Sequence, residues 1–198
     1  MKNHTHILQY LAKKYQLKKY LEIGIQFPEN NFNLIDCPEK QGVEPEICQK
    51  CKSNGYIFKG TSDEFFEHKA HTRQTFNLAF IDGLHHADQV KKDFDNVLAR
   101  LEPGGFIVLH DCSPHSEAIT KVPRETKEWT GDCYRFAATL GSNPNINFLT
   151  VDIDYGCCVV WRKHQEPKEL PEITWEYFEK NRKELLNLVT VEEFMSKL

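Results

Sequence analysis

The chain has 198 residues, 40% of them hydrophobic, which is ordinary for a globular protein and enough for one sizeable core. Its formal charge of −4 gives no basic excess of the kind nucleic acid requires, and no Lys/Arg run suggests an anionic membrane. No apolar run is long enough to span a bilayer, residues 1–16 lack a signal-like apolar segment, and an odd count of seven cysteines fits reduced thiols in a cytoplasm.

In chain order, Ile7, Leu8, Leu11 and Tyr15 predict an amphipathic first helix. His4 and His6 precede it near a frayed end and are given no role. Residues 20–25 read as a first strand and residues 41–45 as a short second one with an acid at its end. Residues 56–59 read as a third strand, then a helix from Glu64, with Ser62 or Asp63 as its N-cap. Cys48 and Cys51 fall between the second and third strands, on an expected helix. A lone Cys-x-x-Cys lacks the second pair of a zinc ribbon, so packing is the preferred account.

The apolar runs 78–81 and 106–109 end abruptly at Asp82-Gly83 and His110-Asp111. Runs without alternation suit parallel strands buried on both faces. Between them, Val90, Phe94, Val97, Leu98 and Leu101 recur at helical spacing, and Pro103-Gly104-Gly105 is expected to stop that helix. Residues 148–153 and 157–161 flank Asp154-Tyr155-Gly156 too closely for a crossover, which implies an antiparallel hairpin. Residues 171–198 read as one or two amphipathic helices. The expectation is a single α/β domain over residues 1–198. It has a Rossmann-like sheet, mostly parallel with an antiparallel strand in a C-terminal hairpin, an N-terminal helix and a C-terminal helical extension.

Several local motifs fall in that order. They are Tyr20-Leu21-Glu22-Ile23-Gly24 with the Pro28-Glu29-Asn30-Asn31-Phe32-Asn33 loop, Val43-Glu44-Pro45, Thr61-Ser62-Asp63-Glu64-Phe65-Phe66, and Phe80-Ile81-Asp82-Gly83-Leu84-His85. Then come the Gly104-to-Cys112 stretch, Trp129-Thr130-Gly131-Asp132, and Asp152-Ile153-Asp154-Tyr155-Gly156. Together they resemble class I S-adenosylmethionine-dependent methyltransferases, and more narrowly small bacterial enzymes associated with sugar and polysaccharide modification. The resemblance covers about residues 20–161. It implies S-adenosylmethionine as cofactor, a small-molecule or glycan acceptor, and methyl transfer to a hydroxyl.

The cofactor residues that the resemblance implies are Glu22, Gly24, Glu44, Ser62, Asp63 and Asp82. Physically, Gly24 lets backbone approach a ligand, Glu22 suits its ammonium and Glu44 its ribose hydroxyls. Ser62 and Asp63 serve helix capping equally well. The usual glycine-rich loop is reduced here to Gly24 followed by Ile25-Gln26-Phe27-Pro28. Methyl transfer to an alcohol needs somewhere for the proton to go. His110, Asp111 and His85 are the catalytic candidates. By similarity to catechol O-methyltransferase, Asp82, His110 and Asp111 are the matching positions for a divalent metal such as Mg²⁺, Mn²⁺ or Zn²⁺. Base-only and metal-assisted roles both stay open. Trp129, Asp132 and Tyr134 lie in the expected acceptor region, with core packing and capping as the plainer accounts. Two other classes remain: a non-catalytic binding or regulatory domain on this fold, and a metal-dependent hydrolase or oxygenase using Asp82, His110 and Asp111.

Overall fold

A computed structural model describes residues 1–68 and 73–198. Its centre is one eight-stranded sheet. The strands are β1 (Lys19–Ile23), β2 (Glu39–Val43), β3 (Tyr56–Phe58), β4 (Phe76–Ile81), β5 (Leu101–Leu109), β6 (Ile146–Val151), β7 (Cys157–Arg162) and β8 (Leu188–Val189). They lie in the order β3-β2-β1-β4-β5-β7-β6-β8. β3 through β5 run parallel in that order, and β7 is antiparallel to both of its neighbours. The expected hairpin is therefore present. Leu188-Val189 adds a last parallel strand beside β6 that no sequence pattern announced.

The buried runs of β4 and β5 serve two cores at once. Ala79, Ile81, Ile107 and Leu109 face one side, where they meet Phe94 and Val97 of α3 (Ala87–Ala99) and Phe178 of α5 (Trp175–Leu185). Leu78, Phe80, Phe106 and Val108 face the other, with Ile7, Leu8 and Leu11 of α1 (His4–Lys14) and Phe194 of α6 (Val191–Lys197). Successive strand residues point to opposite faces, so a strand covered on both sides must be apolar throughout. The remaining helices are α2 (Ser62–Glu67) and α4 (Cys133–Ala137).

Four local expectations are corrected. The N-cap of α2 is Thr61, which accepts from the Glu64 N–H while the Glu64 side chain returns to the Thr61 N–H, so a capping box displaces Ser62 and Asp63 into the first turn. α3 ends at Ala99, and Pro103-Gly104-Gly105 lies inside β5, where Leu101 already pairs with Phe76. Tyr15 caps α1 and is exposed. Cys48 and Cys51 lie outside any helix and are joined as a disulfide, with Cα atoms 5.4 Å apart. That pair is therefore not reduced, and a bonded pair has no thiolate to offer zinc. The other five cysteines are free and buried, as packing predicts.

Candidate functional site

Strands β1, β2 and β4 end at one edge of the sheet, and their last residues open into a cleft of about 860 Å³. Its walls include Glu22, Gly24, Glu44, Ser62, Asp63, Asp82 and His85, so residues far apart in sequence share one surface. Gly24 is required by two constraints. Its φ is +87°, and a Cβ there would sit 2.1 Å from the Asp82 carbonyl oxygen. The first and fourth strand ends are thus in backbone contact.

Glu22 is only 2% exposed. Tyr20 donates its hydroxyl to Oε2 at 2.6 Å and Asn31 donates Nδ2 to the same oxygen at 2.9 Å. Oε1 is left for a donor in the cleft. Burial, aided by the charge of Asp82, pushes the Glu22 carboxyl up to about 8 despite those two donors. Glu44 is used differently. Its Oε2 accepts the N–H groups of Ile25 and Gln26 at 3.0 and 2.9 Å, and its Oε1 accepts from Glu46 N–H at 2.8 Å. A carboxylate has about four acceptor positions, so roughly one remains. Glu44 therefore holds the Gly24 loop in place and has room for one further hydroxyl, not the pair that its position suggested. Asp63 is exposed to Lys92, which donates to it at 2.5 Å and holds its carboxyl below the usual range. Ser62 accepts from Gln89 at 3.2 Å.

Four ionisable side chains meet beyond β4 and β5. His110 Nδ1 lies 3.0 Å from Asp82 Oδ1 and 3.4 Å from Asp111 Oδ1. His85 Nδ1 lies 3.2 Å from Asp111 Oδ2, and its Nε2 lies 3.5 Å from Asp82 Oδ1. Burial opposes every charge here, but the pairs outweigh it for three groups. Asp82 is held below the usual carboxylate range by the charge of His110 and by contacts with both imidazoles. His110 is raised well above the ordinary imidazole value by Asp82 and Asp154, and His85 is raised by Asp82 and Asp111. For Asp111 burial wins and the carboxyl is raised. His110 is enclosed behind the cleft wall, with its side chain 11% exposed, whereas His85 and Asp82 reach the cleft itself.

Trp129 stacks on His85 with ring centroids 5.1 Å apart and planes 17° from parallel. Gly131 makes that approach possible. Its φ is +59°, and a Cβ would fall 1.8 Å from the His85 carbonyl oxygen. Asp132 accepts from the Ala87 N–H at 2.7 Å at the start of α3, and Tyr134 is buried against Phe178. For those two the capping and packing accounts hold, and Trp129 alone of the three stays at the cleft.

Two residues that the sequence reading passed over join the cluster. His4 donates from Nδ1 to Asp154 Oδ2 at 2.6 Å, and Asp154 lies 3.4 Å from His110 Nε2. The Asp154 turn was visible as a motif, but nothing in residues 1–16 marked His4 apart from its imidazole.

Residues 11–112, just over half of the chain, match the family described as a methyltransferase domain. The chain belongs to that family. Its sheet is that of the class I S-adenosylmethionine-dependent methyltransferases, and it is by family an enzyme of methyl transfer. A Klebsiella pneumoniae protein solved as a candidate O-methyltransferase matches with a TM-score of 0.62 at 17% identity, over 80% of this chain and 79% of its own. The Podospora anserina methyltransferase PaMTH1, solved with S-adenosylhomocysteine, gives 0.59 at 18% identity, over 80% and 77%. The O-methyltransferase TomG of Streptomyces achromogenes, solved with S-adenosylmethionine, gives 0.57 at 15%, over 80% and 78%. At these identities the likeness is one of fold. No curated protein matches the chain.

The methyltransferase cleft fits its family's cofactor on this chain's own features. Glu22 is a buried carboxyl on the cleft wall whose two side-chain donors both go to Oε2, and the φ of +87° at Gly24 lets backbone pass the strand end without a side chain. A divalent metal also fits the donor set. One ligand atom from each of Asp82, His85 and Asp111 lies within 4.8 Å of the others, and His85 Nδ1 is buried with no hydrogen-bond partner. His85 replaces His110 in that grouping. One imidazole with two carboxylates suits Mn²⁺, Fe²⁺ or Zn²⁺ more than Mg²⁺.

Proposed function

We propose that this methyltransferase moves the methyl group of S-adenosylmethionine to a hydroxyl of a small acceptor, sugar-like or otherwise polyhydroxylated. The observation that carries the reading is the shared cleft. The buried Glu22 carboxyl and the Gly24 turn line it together with Asp82, His85 and Trp129, and the buried Asp111 pairs with His85. S-adenosylmethionine supplies a methyl group already activated on a sulfonium, so the protein's task is alignment and proton removal. Glu22 meets the ligand ammonium through Oε1, Glu44 and the Gly24 loop shape the ribose side, and Ser62 and Asp63 border the base.

An acceptor hydroxyl in the cleft meets His85, whose ring is held between Trp129 and Asp111. His85 takes the proton, and the nearby Asp111 carboxyl compensates the charge. His110 stays behind them, its Nδ1 held against Asp82, and does not act as the base its strand-end position suggested. A divalent ion held by Asp82, His85 and Asp111 would lower the hydroxyl pKa and fix its oxygen. The proposed setting is cytoplasmic, and no described helix is long and apolar enough to cross a membrane.

The test combines calorimetry with turnover. S-adenosylhomocysteine should bind the wild-type protein, and His85→Ala should keep that affinity while losing about 10²–10⁴-fold in turnover on a hydroxylated acceptor. Turnover that survives exhaustive chelation assigns the proton to His85 alone. Loss restored by Mn²⁺ assigns it to the metal-assisted form. Undiminished turnover in His85→Ala would overturn the site, and absence of any S-adenosylhomocysteine binding would overturn the cofactor reading.

A further inference from the structure

We propose that His4, His110 and Asp154 form a binding site for a divalent transition-metal ion of the Zn²⁺ kind, distinct from the Asp82–His85–Asp111 group. His4 comes from the first turn of α1, His110 from the end of β5 and Asp154 from the turn between β6 and β7. One ligand atom from each lies within 4.8 Å of the other two. Two imidazoles and one carboxylate select against Mg²⁺ and Ca²⁺, which favour all-oxygen shells, and suit Zn²⁺ or its first-row neighbours. Three protein ligands leave the fourth tetrahedral position open to water or a ligand atom. Of the three, His4 also lines the cleft, so the group stands beside it.

Three observations carry the site. First, His110 Nε2 is buried without a hydrogen-bond partner, although Asp154 Oδ2 is 3.4 Å away. A buried polar atom left unpaired is costly, and an ion drawn between the two groups would satisfy both. Second, the other nitrogen of the same ring, Nδ1, lies 3.0 Å from Asp82 Oδ1. A histidine that gives its far N–H to a carboxylate is fixed in the tautomer and orientation that a metal needs. Third, the remaining ligands are held before an ion arrives. The His4 ring stacks on Phe80 with centroids 5.0 Å apart and meets His110 edge-on at 4.8 Å. Asp154 is turned inward at a φ of +52° and receives the His4 backbone N–H at 3.0 Å. In the metal-free protein a proton stands between His4 Nδ1 and Asp154, and an ion entering there displaces it. Bound metal would pin the start of α1 to the far end of the sheet.

The experiment uses Zn²⁺ alone and does not depend on turnover or on the cofactor. Chelator-treated protein is titrated with Zn²⁺ by calorimetry and with Co²⁺ by its visible ligand-field bands, in a Cys48→Ser, Cys51→Ser background so that accidental reduction of the disulfide supplies no thiolate. The bands should have tetrahedral intensity. His4→Gln and Asp154→Asn should each weaken Zn²⁺ about 100-fold or more by removing a ligand, and Asp82→Asn about 10-fold through the His110 ring. His85→Ala should leave this affinity within about twofold, because His85 is no ligand here. Asn adopts positive φ readily, so Asp154→Asn keeps the turn if His4→Gln disturbs the helix start. No Zn²⁺ binding by the parent protein, unchanged affinity in Asp154→Asn, or loss confined to His85→Ala and Asp111→Asn would each overturn the proposal. The last outcome would place the ion in the neighbouring group while leaving the methyltransferase reading intact.

Discussion

Glu22, as the proposed partner of the cofactor's ammonium, would couple binding to pH. Its carboxyl is raised to about 8, so near neutrality the empty cleft holds it largely protonated, with Tyr20 and Asn31 donating to one oxygen. A cationic ligand prefers the carboxylate, and ionising it costs more the further the pH lies below 8. We expect S-adenosylhomocysteine affinity to fall as pH drops from 8 to 6, approaching tenfold per unit at the low end. Glu22→Gln should bind weakly with a flat profile. Calorimetry across that range decides it: an equally steep slope in Glu22→Gln would remove Glu22 as the titrating group. Glu44 teaches the complementary point. Its position at the end of β2 marked it as a ligand residue, but its backbone partners show that it first builds the loop.

At the scale of elements, one face of the sheet is closed by segments from opposite ends of the chain, α1 and α6. α6 was expected as part of a C-terminal extension, yet Phe194 is fully buried in the same core as Ile7 and Phe80. Thr190 fixes the start of α6 through a capping box with Glu193. Phe194→Ala should therefore cost about 3–5 kcal/mol, measured by urea unfolding, as for any core aromatic. A cost below about 1 kcal/mol would make α6 an appendage. The helix that sequence periodicity marked most clearly, α3, does two jobs. It buries Val90, Phe94 and Val97, and its start is capped by Asp132 from the segment that carries Trp129.

For the whole molecule, burial of acids sets a direction for stability against pH. Burial raises Glu22 from 4.5 to about 8 and Asp93 from 3.8 to about 6. A carboxyl raised in the folded state binds protons that the unfolded chain has released. Its contribution is complete below the unfolded value and is lost as pH climbs through the folded one. Between pH 5 and pH 8.5, thermal unfolding of chelator-treated protein should fall in midpoint, by on the order of a few kcal/mol in stability. Glu22→Gln should flatten the upper part of that fall, since Gln fills the same space without a proton to lose. A midpoint that rises over this interval, or a slope untouched by the substitution, would contradict the burial argument.

The sequence by itself determined the principal strands in chain order and showed that two of them end in ionisable residues. Apolar runs that stop dead at Asp82 and at His110-Asp111 are local signals, because a strand buried on both faces must be apolar along its length and polar where it emerges. The antiparallel hairpin was equally legible, because six residues or fewer cannot form a crossover. Other features depended on contacts between distant segments. Leu188-Val189 is a strand only because β6 is beside it, and two residues carry too little pattern to show that. Thr61 outcompetes Ser62 and Asp63 as cap because Glu64 can return to it. The placements within the cluster were likewise decided in three dimensions. His110 and His85 are the same residue type on neighbouring strand ends, but one is enclosed between Asp82 and Asp154 while the other faces the cleft. His4 enters only because α1 packs its apolar face on β4 and so sets its first turn against Phe80 and Asp154. Periodicity records which face of an element is buried. It does not record what waits on the other side, and that is where this site was made.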